Sequence, residues 1–170
     1  MKMMDIKGKV IKYGDSVNTD VIIPGEFLVL LDPKDLAKHA MEGIDAGFHQ
    51  KVKDRKIIVA GRNFGSGSSR EQAPVSLKYA GVQCILAESF ARIFYRNAIN
   101  IGLPVVECEG ISKKVDDEDE LEVIPREGLI KNLTKGTKLK ANPIPDFLLE
   151  IMEIGLVEYM KEKKVKNEFI

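Results

Sequence analysis

Tryptophan is missing from this chain, histidine and cysteine occur only twice each, and neither sign of charge prevails. Each lack removes a class of explanation. Two cysteines, Cys84 and Cys108, close at most one bridge, which excludes a disulfide framework, and two thiols alone hold neither a zinc ion nor an iron–sulfur cluster. Both lie in apolar segments and read as reduced core thiols of a reducing compartment. Lys plus Arg and Asp plus Glu both number 26, for a net charge of +0, so no field draws a polyanion and nucleic acid is not an expected partner. The longest unbroken apolar run, Phe27 to Leu31, is far too short to cross a bilayer, and the charged start from Met1 to Lys9 lacks the apolar centre of a secretion signal. The chain is expected to be soluble and cytoplasmic, with no membrane contact.

What is present suffices for a core. With 170 residues, 44% of them hydrophobic, the expectation is one compact domain over residues 1–170. Lys7 to Tyr13 reads as an opening strand, broken by the turn formers Gly14-Asp15 and Asn18-Thr19-Asp20. Two apolar pieces follow, Val21 to Ile23 and Phe27 to Leu31, before Asp32-Pro33 starts a helix through Leu36, Ala37, Ala40 and Met41. That apolar loop packs into the core or meets something outside it.

Lys56 to Ala60 and Val82 to Ala87 have the continuous apolar character of strands covered on both faces. The segment between them reads as a helix begun at Ser68-Ser69 and stopped by Gly81, which makes a parallel, right-handed βαβ unit. Ser89 is placed as the cap of a further helix with an apolar stripe of Phe90, Ile93, Phe94 and Ala98, and Arg92 and Arg96 on another face. Leu103 to Glu107 reads as a third buried strand. Beyond it, short strands near Leu121 to Ile124 and Leu129 to Leu133 suggest a small β layer, and Pro145 to Lys166 a helix burying Phe147, Leu148, Ile151 and Met152, with a basic last turn. The fold expected is a three-layer α/β domain with a mostly parallel central sheet and a small additional β layer. The acidic run from Asp116 to Glu120 lacks a calcium loop's alternating ligands and reads as a solvated turn. His39 and His49, ten apart, fit no zinc pair, read as surface residues and receive no role.

Chemistry concentrates in Gly65-Ser66-Gly67-Ser68-Ser69-Arg70-Glu71, at a junction from strand to helix. Four readings compete. A capping box would pair Ser68 with Glu71 for structural reasons alone. A phosphate loop lacks its lysine and the Gly-x-Gly-x-x-Gly spacing, and a hydrolase elbow lacks Gly-x-Ser-x-Gly and a histidine in a base-like setting. The fourth joins cap and chemistry: a serine facing the positive end of a helix, with glycine amides and Arg70 around it, is set up to exist as an oxyanion and to sit beside a bound carboxylate.

With these residues in view, the sequence resembles a known family. Asn63-Phe64-Gly65, Gly67-Ser68-Ser69-Arg70-Glu71, Ala87-Glu88-Ser89-Phe90-Ala91-Arg92-Ile93 and Arg96-Asn97, with Asn18-Thr19-Asp20 upstream, look like the swivelling domain of the aconitase superfamily. As a free chain of this length it is similar to the small-subunit families of 3-isopropylmalate dehydratase (isopropylmalate isomerase) and of homoaconitase. The resemblance implies a hydro-lyase that removes water from a 2-hydroxy acid and returns it with the hydroxyl on the next carbon, a step of leucine biosynthesis in the first family. It implies a [4Fe-4S] cluster on a large subunit that binds the hydroxyl, none on this chain, and no activity of this chain alone. Carried over by position, Ser68 takes the proton from carbon, Gly67, Ser69 and Arg70 hold substrate carboxylate, and Asp20 supports the assembled site. The sequence departs from many relatives at Ser66, where they have Cys, and at Gln72, where they have His.

Phe27, Leu28, Val29 and Leu30 occupy the segment in which homoaconitase-like chains place an Arg after an aromatic-Leu pair. Here a third carboxylate would meet hydrocarbon, at a cost of several kcal/mol, whereas three carbons of an isopropyl group would gain about 2.4 kcal/mol at roughly 0.8 each. The expected substrate is an alkylmalate, isopropylmalate first. A homoaconitase-type tricarboxylate and methylmalate or citraconate are the alternatives, since neighbouring alkyl groups differ by only about 1 to 3 kcal/mol per methylene. A rival of another class is a non-enzymatic module holding an anion on the glycine turn or a protein on the Phe27 loop.

Overall fold

The computed structural model of the chain describes residues 5–165; Met1 to Met4 of the charged start, and Lys166, the end expected for the C-terminal helix, lie outside them. One seven-stranded sheet organises the fold, in the order β4-β3-β2-β1-β5-β6-β7. β1 (Ile6–Lys12), β2 (Ile57–Ala60), β3 (Cys84–Ala87) and β4 (Val105–Glu107) pair in parallel, with Val10 beside Ile57, Ile57 beside Cys84 and Ile85 beside Val105. β5 (Glu120–Ile124), β6 (Leu129–Asn132) and β7 (Thr137–Lys140) continue from the other side of β1, each antiparallel to its neighbour. The sheet is mixed and strongly curled, a half-barrel. The small β layer expected from the sequence is the antiparallel part of this same sheet, and three parallel and three antiparallel pairings replace the mostly parallel expectation.

The strand chemistry explains the division. Every residue of β2 and β3 is buried, as continuous Ile-Ile-Val-Ala and Cys-Ile-Leu-Ala runs require, while β5 alternates buried and half-buried positions. α4 (Gln72–Ala80) and α5 (Arg92–Asn100) are the crossovers from β2 to β3 and from β3 to β4. α4 stops at Gly81, whose φ of 114° only glycine adopts readily. The crossover from β1 to β2 carries α1 (Thr19–Ile22), a short 3-10 turn (Gly25–Phe27), α2 (Pro33–Ala37) and α3 (Phe48–Asp54). α2 is shorter than the apolar spacing predicts, yet Leu36, Ala37, Ala40 and Met41 are all buried, because the chain turns on through Met41 at φ 60°.

Several expectations are corrected. Ser89 does not cap α5; its hydroxyl accepts from the Asn63 amide at 2.8 Å, and Ile93 in the predicted stripe is exposed. The C-terminal helix is two, α7 (Asp146–Ile154) and α8 (Leu156–Val165), because Gly155 takes an extended left-handed conformation, and Phe147 is exposed. The acidic run is an exposed turn from Asp116 to Glu118, as expected, but it also joins distant segments, and its Asp119 is buried. α6 (Ile111–Lys114) leads into it, buried Asp119 accepts from Asn132 Nδ2 at 2.8 Å, Lys135 pairs with Asp116 at 2.8 Å, and Arg55 pairs with Asp117 and Glu118. The Lys135 contact holds the Asp116 carboxyl below its ordinary range. Both cysteines are free and buried, and desolvation pushes both thiols up. Among the described residues no helix is long and apolar enough to cross a membrane.

Candidate active site

Loops leaving the carboxyl ends of parallel strands meet at one edge of a sheet, the usual place for a ligand. Here they are stitched together. Beyond β1 and β2, Ser16 N donates to Arg62 O at 2.8 Å, Gly65 N to Val17 O at 2.8 Å and Thr19 N to Ser66 O at 2.8 Å, so parallel pairing persists past both strands. Beyond β2 and β3, Phe64 N donates to Ser89 O at 3.0 Å and Ala91 N to Phe64 O at 2.9 Å. Gly65 has φ 81°, and a Cβ there would lie 2.1 Å from Phe94 Cγ, so the first residue of α5's buried face lets only glycine pass. The glycine turn is thereby fixed to both neighbouring loops.

Asn18 caps α1, its Oδ1 accepting from the Asp20 amide at 2.9 Å and the Val21 amide at 3.2 Å. This cap turns Asp20 toward the glycine loop, where its carboxylate meets Arg70 Nη2 at 2.7 Å. Arg70 Nη1 donates to Ile23 O at 2.9 Å. The guanidinium is therefore anchored twice, with its side chain 18% exposed. The Ser68 carbonyl accepts from Thr19 Oγ1 at 3.0 Å and from the Arg70 amide at 2.8 Å. Gly67, Ser68 and Ser69 are exposed, and neither their amides nor the two serine hydroxyls have a hydrogen-bond partner among the described residues. A group of solvent-facing amides and hydroxyls beside a fixed guanidinium is what a carboxylate or an oxyanion requires.

The structure brings together Asp20, Gly67, Ser68, Ser69 and Arg70 as the sequence suggests, but by another route. α4 begins at Gln72, Glu71 precedes it in helical conformation, and no side chain caps it. The capping box is absent, and Ser68 does not stand at the first turn of the helix. Its positive surroundings come from loop amides and Arg70 rather than from a helix dipole. The segment that leads into Phe27 to Leu30 adjoins the same place, since Arg70 Nη1 bonds Ile23 O and a Cβ on Gly25 would lie 3.6 Å from Arg70 Nη2. Val29 is 80% exposed and Leu31 95%, while Phe27, Leu28 and Leu30 are half-buried against the core.

Two contributors escaped the sequence reading. Thr19 fixes the Ser68 peptide through its hydroxyl, and Phe94 enforces the glycine at 65. The Asn-Thr-Asp string signals a helix cap, but nothing in it announces the bond to Ser68. His39 and His49 are half-buried rather than free surface residues, His39 lying on Phe27 and His49 Nε2 contacting Lys38 O at 2.5 Å.

No group of three or more His, Cys, Asp or Glu among the described residues is arranged to hold a metal. A [4Fe-4S] cluster takes at least three thiolates even where one iron is left open to a ligand, whereas this chain has two cysteines, both buried with thiols stabilised in the protonated form. Its residues do not fit a cluster.

Residues 30–109 match the family model of the aconitase C-terminal domain. The chain is 55% identical over 164 residues to an isopropylmalate/citramalate isomerase small subunit of Methanocaldococcus jannaschii, covering 96% of this chain and 98% of the relative. It is 53% identical over 159 residues to a 3-isopropylmalate dehydratase small subunit of Ruminiclostridium cellulolyticum, covering 93% and 98%. Its fold superposes on a crystal structure of 3-isopropylmalate dehydratase from Methanocaldococcus jannaschii with a TM-score of 0.90 at 44% identity, over 97% of this chain and 98% of the other. With sequence and fold in agreement over nearly its whole length, the chain belongs to the 3-isopropylmalate dehydratase (isopropylmalate isomerase) small subunits of the aconitase family.

Proposed function

We propose that the chain is one swivelling domain acting as the small subunit of a hydro-lyase that interconverts 2-isopropylmalate and 3-isopropylmalate in leucine biosynthesis. A large subunit completes the enzyme and carries the [4Fe-4S] cluster that this chain's residues cannot bind. The single observation that carries the site assignment is Ser68, exposed and unbonded among free amides beside a doubly anchored Arg70.

In this reading an alkylmalate lies across the glycine turn. One carboxylate is taken by the free donors of Arg70, the Ser69 hydroxyl and the amides of Gly67 and Ser69. Ser68 Oγ, as the alkoxide, takes the proton from the carbon next to the one bearing the hydroxyl, and the hydroxyl leaves as hydroxide with its bonding pair, giving the alkene. Return of the Ser68 proton to the carbon that bore the hydroxyl, with hydroxide adding to the carbon that lost the proton, gives the isomer and restores the alkoxide. An alkoxide is a strong base seldom populated near neutral pH, so the amides and the guanidinium must stabilise it. Asp20 touches no reacting atom in this scheme; it holds Arg70 in place.

The alkyl group faces Phe27, Leu28, Val29 and Leu30, which carry no cation for a third carboxylate. A methyl-bearing substrate is a second reading, favoured by a relative whose printed name includes citramalate. The two alkyl groups differ by two carbons, about 1.6 kcal/mol of burial at roughly 0.8 each, too little for strict exclusion. Reconstitution with a co-expressed large subunit under anaerobic conditions tests the proposal. The pair should be brown and interconvert the isopropylmalates, and this chain alone should do neither. Stable anion binding by the isolated chain, with no large subunit captured and no turnover on adding one, would favour a binding module.

A further inference from the structure

The crossover between Ile22 and Met41 is closed at its base by Met41 N donating to Ile22 O at 2.7 Å and Gly43 N to Val21 O at 3.1 Å. At its tip the backbone bonds are all local: Phe27 N to Pro24 O, Leu28 N to Gly25 O and Leu30 N to Phe27 O. No backbone hydrogen bond ties residues 25–31 to the glycine loop or the sheet among the described residues. Side chains alone set where the tip stands relative to Arg70. The most specific of these contacts is aromatic. The Phe27 ring lies flat on the imidazole of His39, with ring centroids 3.6 Å apart and planes within 9°. His39 follows α2, whose neighbours Leu36 and Ala40 are buried, and its Nδ1 is 2.6 Å from Glu42 Oε2, which sets the ring's rotation.

We infer that His39 is a positioning residue for substrate selection: by stacking on Phe27 it fixes the Phe27–Leu30 tip at a set distance from the Arg70 guanidinium. Two residues before Phe27, a Cβ added at Gly25 would lie 3.6 Å from Arg70 Nη2, so the backbone entering the tip passes beside the guanidinium and a swing of Phe27 changes the space between the carboxylate-binding group and the apolar wall. That space decides which alkyl group fits. The inference rests on the assignment of Phe27, Leu28, Val29 and Leu30 as the selecting loop. His39 itself touches no substrate; its effect passes through Phe27.

The test uses the enzyme assembled with its large subunit, and reads kcat and KM for 2-isopropylmalate and for 2-methylmalate in four variants of this chain. His39→Ala and His39→Asn should raise KM for 2-isopropylmalate by about 2- to 12-fold, the range of an aromatic pair, with kcat nearly unchanged and little effect on the methyl substrate. His39→Phe, which can stack but cannot bond Glu42, should restore the ratio. Val29→Arg is the control for the loop itself. An unchanged isopropyl-to-methyl ratio in His39→Ala and His39→Asn, where Val29→Arg does change it, overturns the role of His39 and leaves the loop assignment standing. No change in any of the variants removes the loop assignment, and this inference with it. Failure of His39→Phe to rescue places the effect in the Glu42 bond and also overturns the stacking account. If His39→Ala does not assemble, the comparison of His39→Phe with His39→Asn carries the same decision.

Discussion

Asp20→Asn separates holding the protein together from holding the substrate. The carboxylate sits 2.7 Å from Arg70 Nη2, but its side chain is 61% exposed, so solvent screens the pair and its contribution to stability is about 0.2–1 kcal/mol. For a chain of 170 residues, melting should fall by no more than about 2–4 °C. The amide keeps an oxygen that can still accept from Arg70 but loses the charge, leaving the Ile23 carbonyl as the remaining strong anchor. A guanidinium free to pivot gives up about half of its hydrogen bonding to substrate carboxylate, a charged contact of about 1.5–3 kcal/mol, so KM should rise by about 3- to 12-fold. Initial rates of the assembled enzyme, followed by ultraviolet absorbance of the unsaturated intermediate, give KM and kcat directly. A KM within twofold of wild type, with unchanged melting, would refute the claim that Asp20 acts through Arg70 on the substrate.

Two further substitutions probe the surrounding geometry. Gly65→Ala drives a methyl to 2.1 Å from Phe94 Cγ at φ 81° and should cost roughly 2–4 kcal/mol, whereas Gly14→Ala, with nothing within 4 Å, should stay within about 0.5 kcal/mol; equal melting temperatures would contradict the close packing of the glycine turn on α5. Val29→Arg, at an 80% exposed position, should leave melting unchanged while shifting the assembled enzyme toward a tricarboxylate, and a wild-type preference between homoaconitate-type and isopropylmalate substrates would count against the selecting loop.

The parallel half of the fold is legible because burial on both faces writes itself as unbroken apolar runs, as in Ile57–Ala60 and Cys84–Ala87. The glycine stop at Gly81 and the cap at Asp32 are equally local signals. What depends on distant partners is not. α3 is a seven-residue helix with only Phe48 and Val52 buried, too few positions to establish a period, and β7 shows a single buried residue, Leu139. The side of β1 on which the antiparallel strands add is decided by Ile6-to-Val123 pairing, which no local pattern encodes. The site divides in the same way. The residue types of Ser68, Ser69 and Arg70 announce an anion-binding turn, but the same residues also predict a helix beginning at Ser68. Instead Ser68 lends its carbonyl to Thr19 and Arg70, and the chain stays in a loop until Gln72.

The central claim is that the Ser68 hydroxyl is the group that moves the proton. Its Oγ makes no hydrogen bond within the described chain and the residue is exposed, so Ser68→Ala should change the unfolding free energy by less than about 0.5 kcal/mol. The decisive measurement is kcat of the assembled enzyme carrying Ser68→Ala, with assembly and melting verified on the same sample. The account predicts a loss of about 10²- to 10⁴-fold with KM little altered, and a kcat near that of wild type in a normally assembled complex would contradict it.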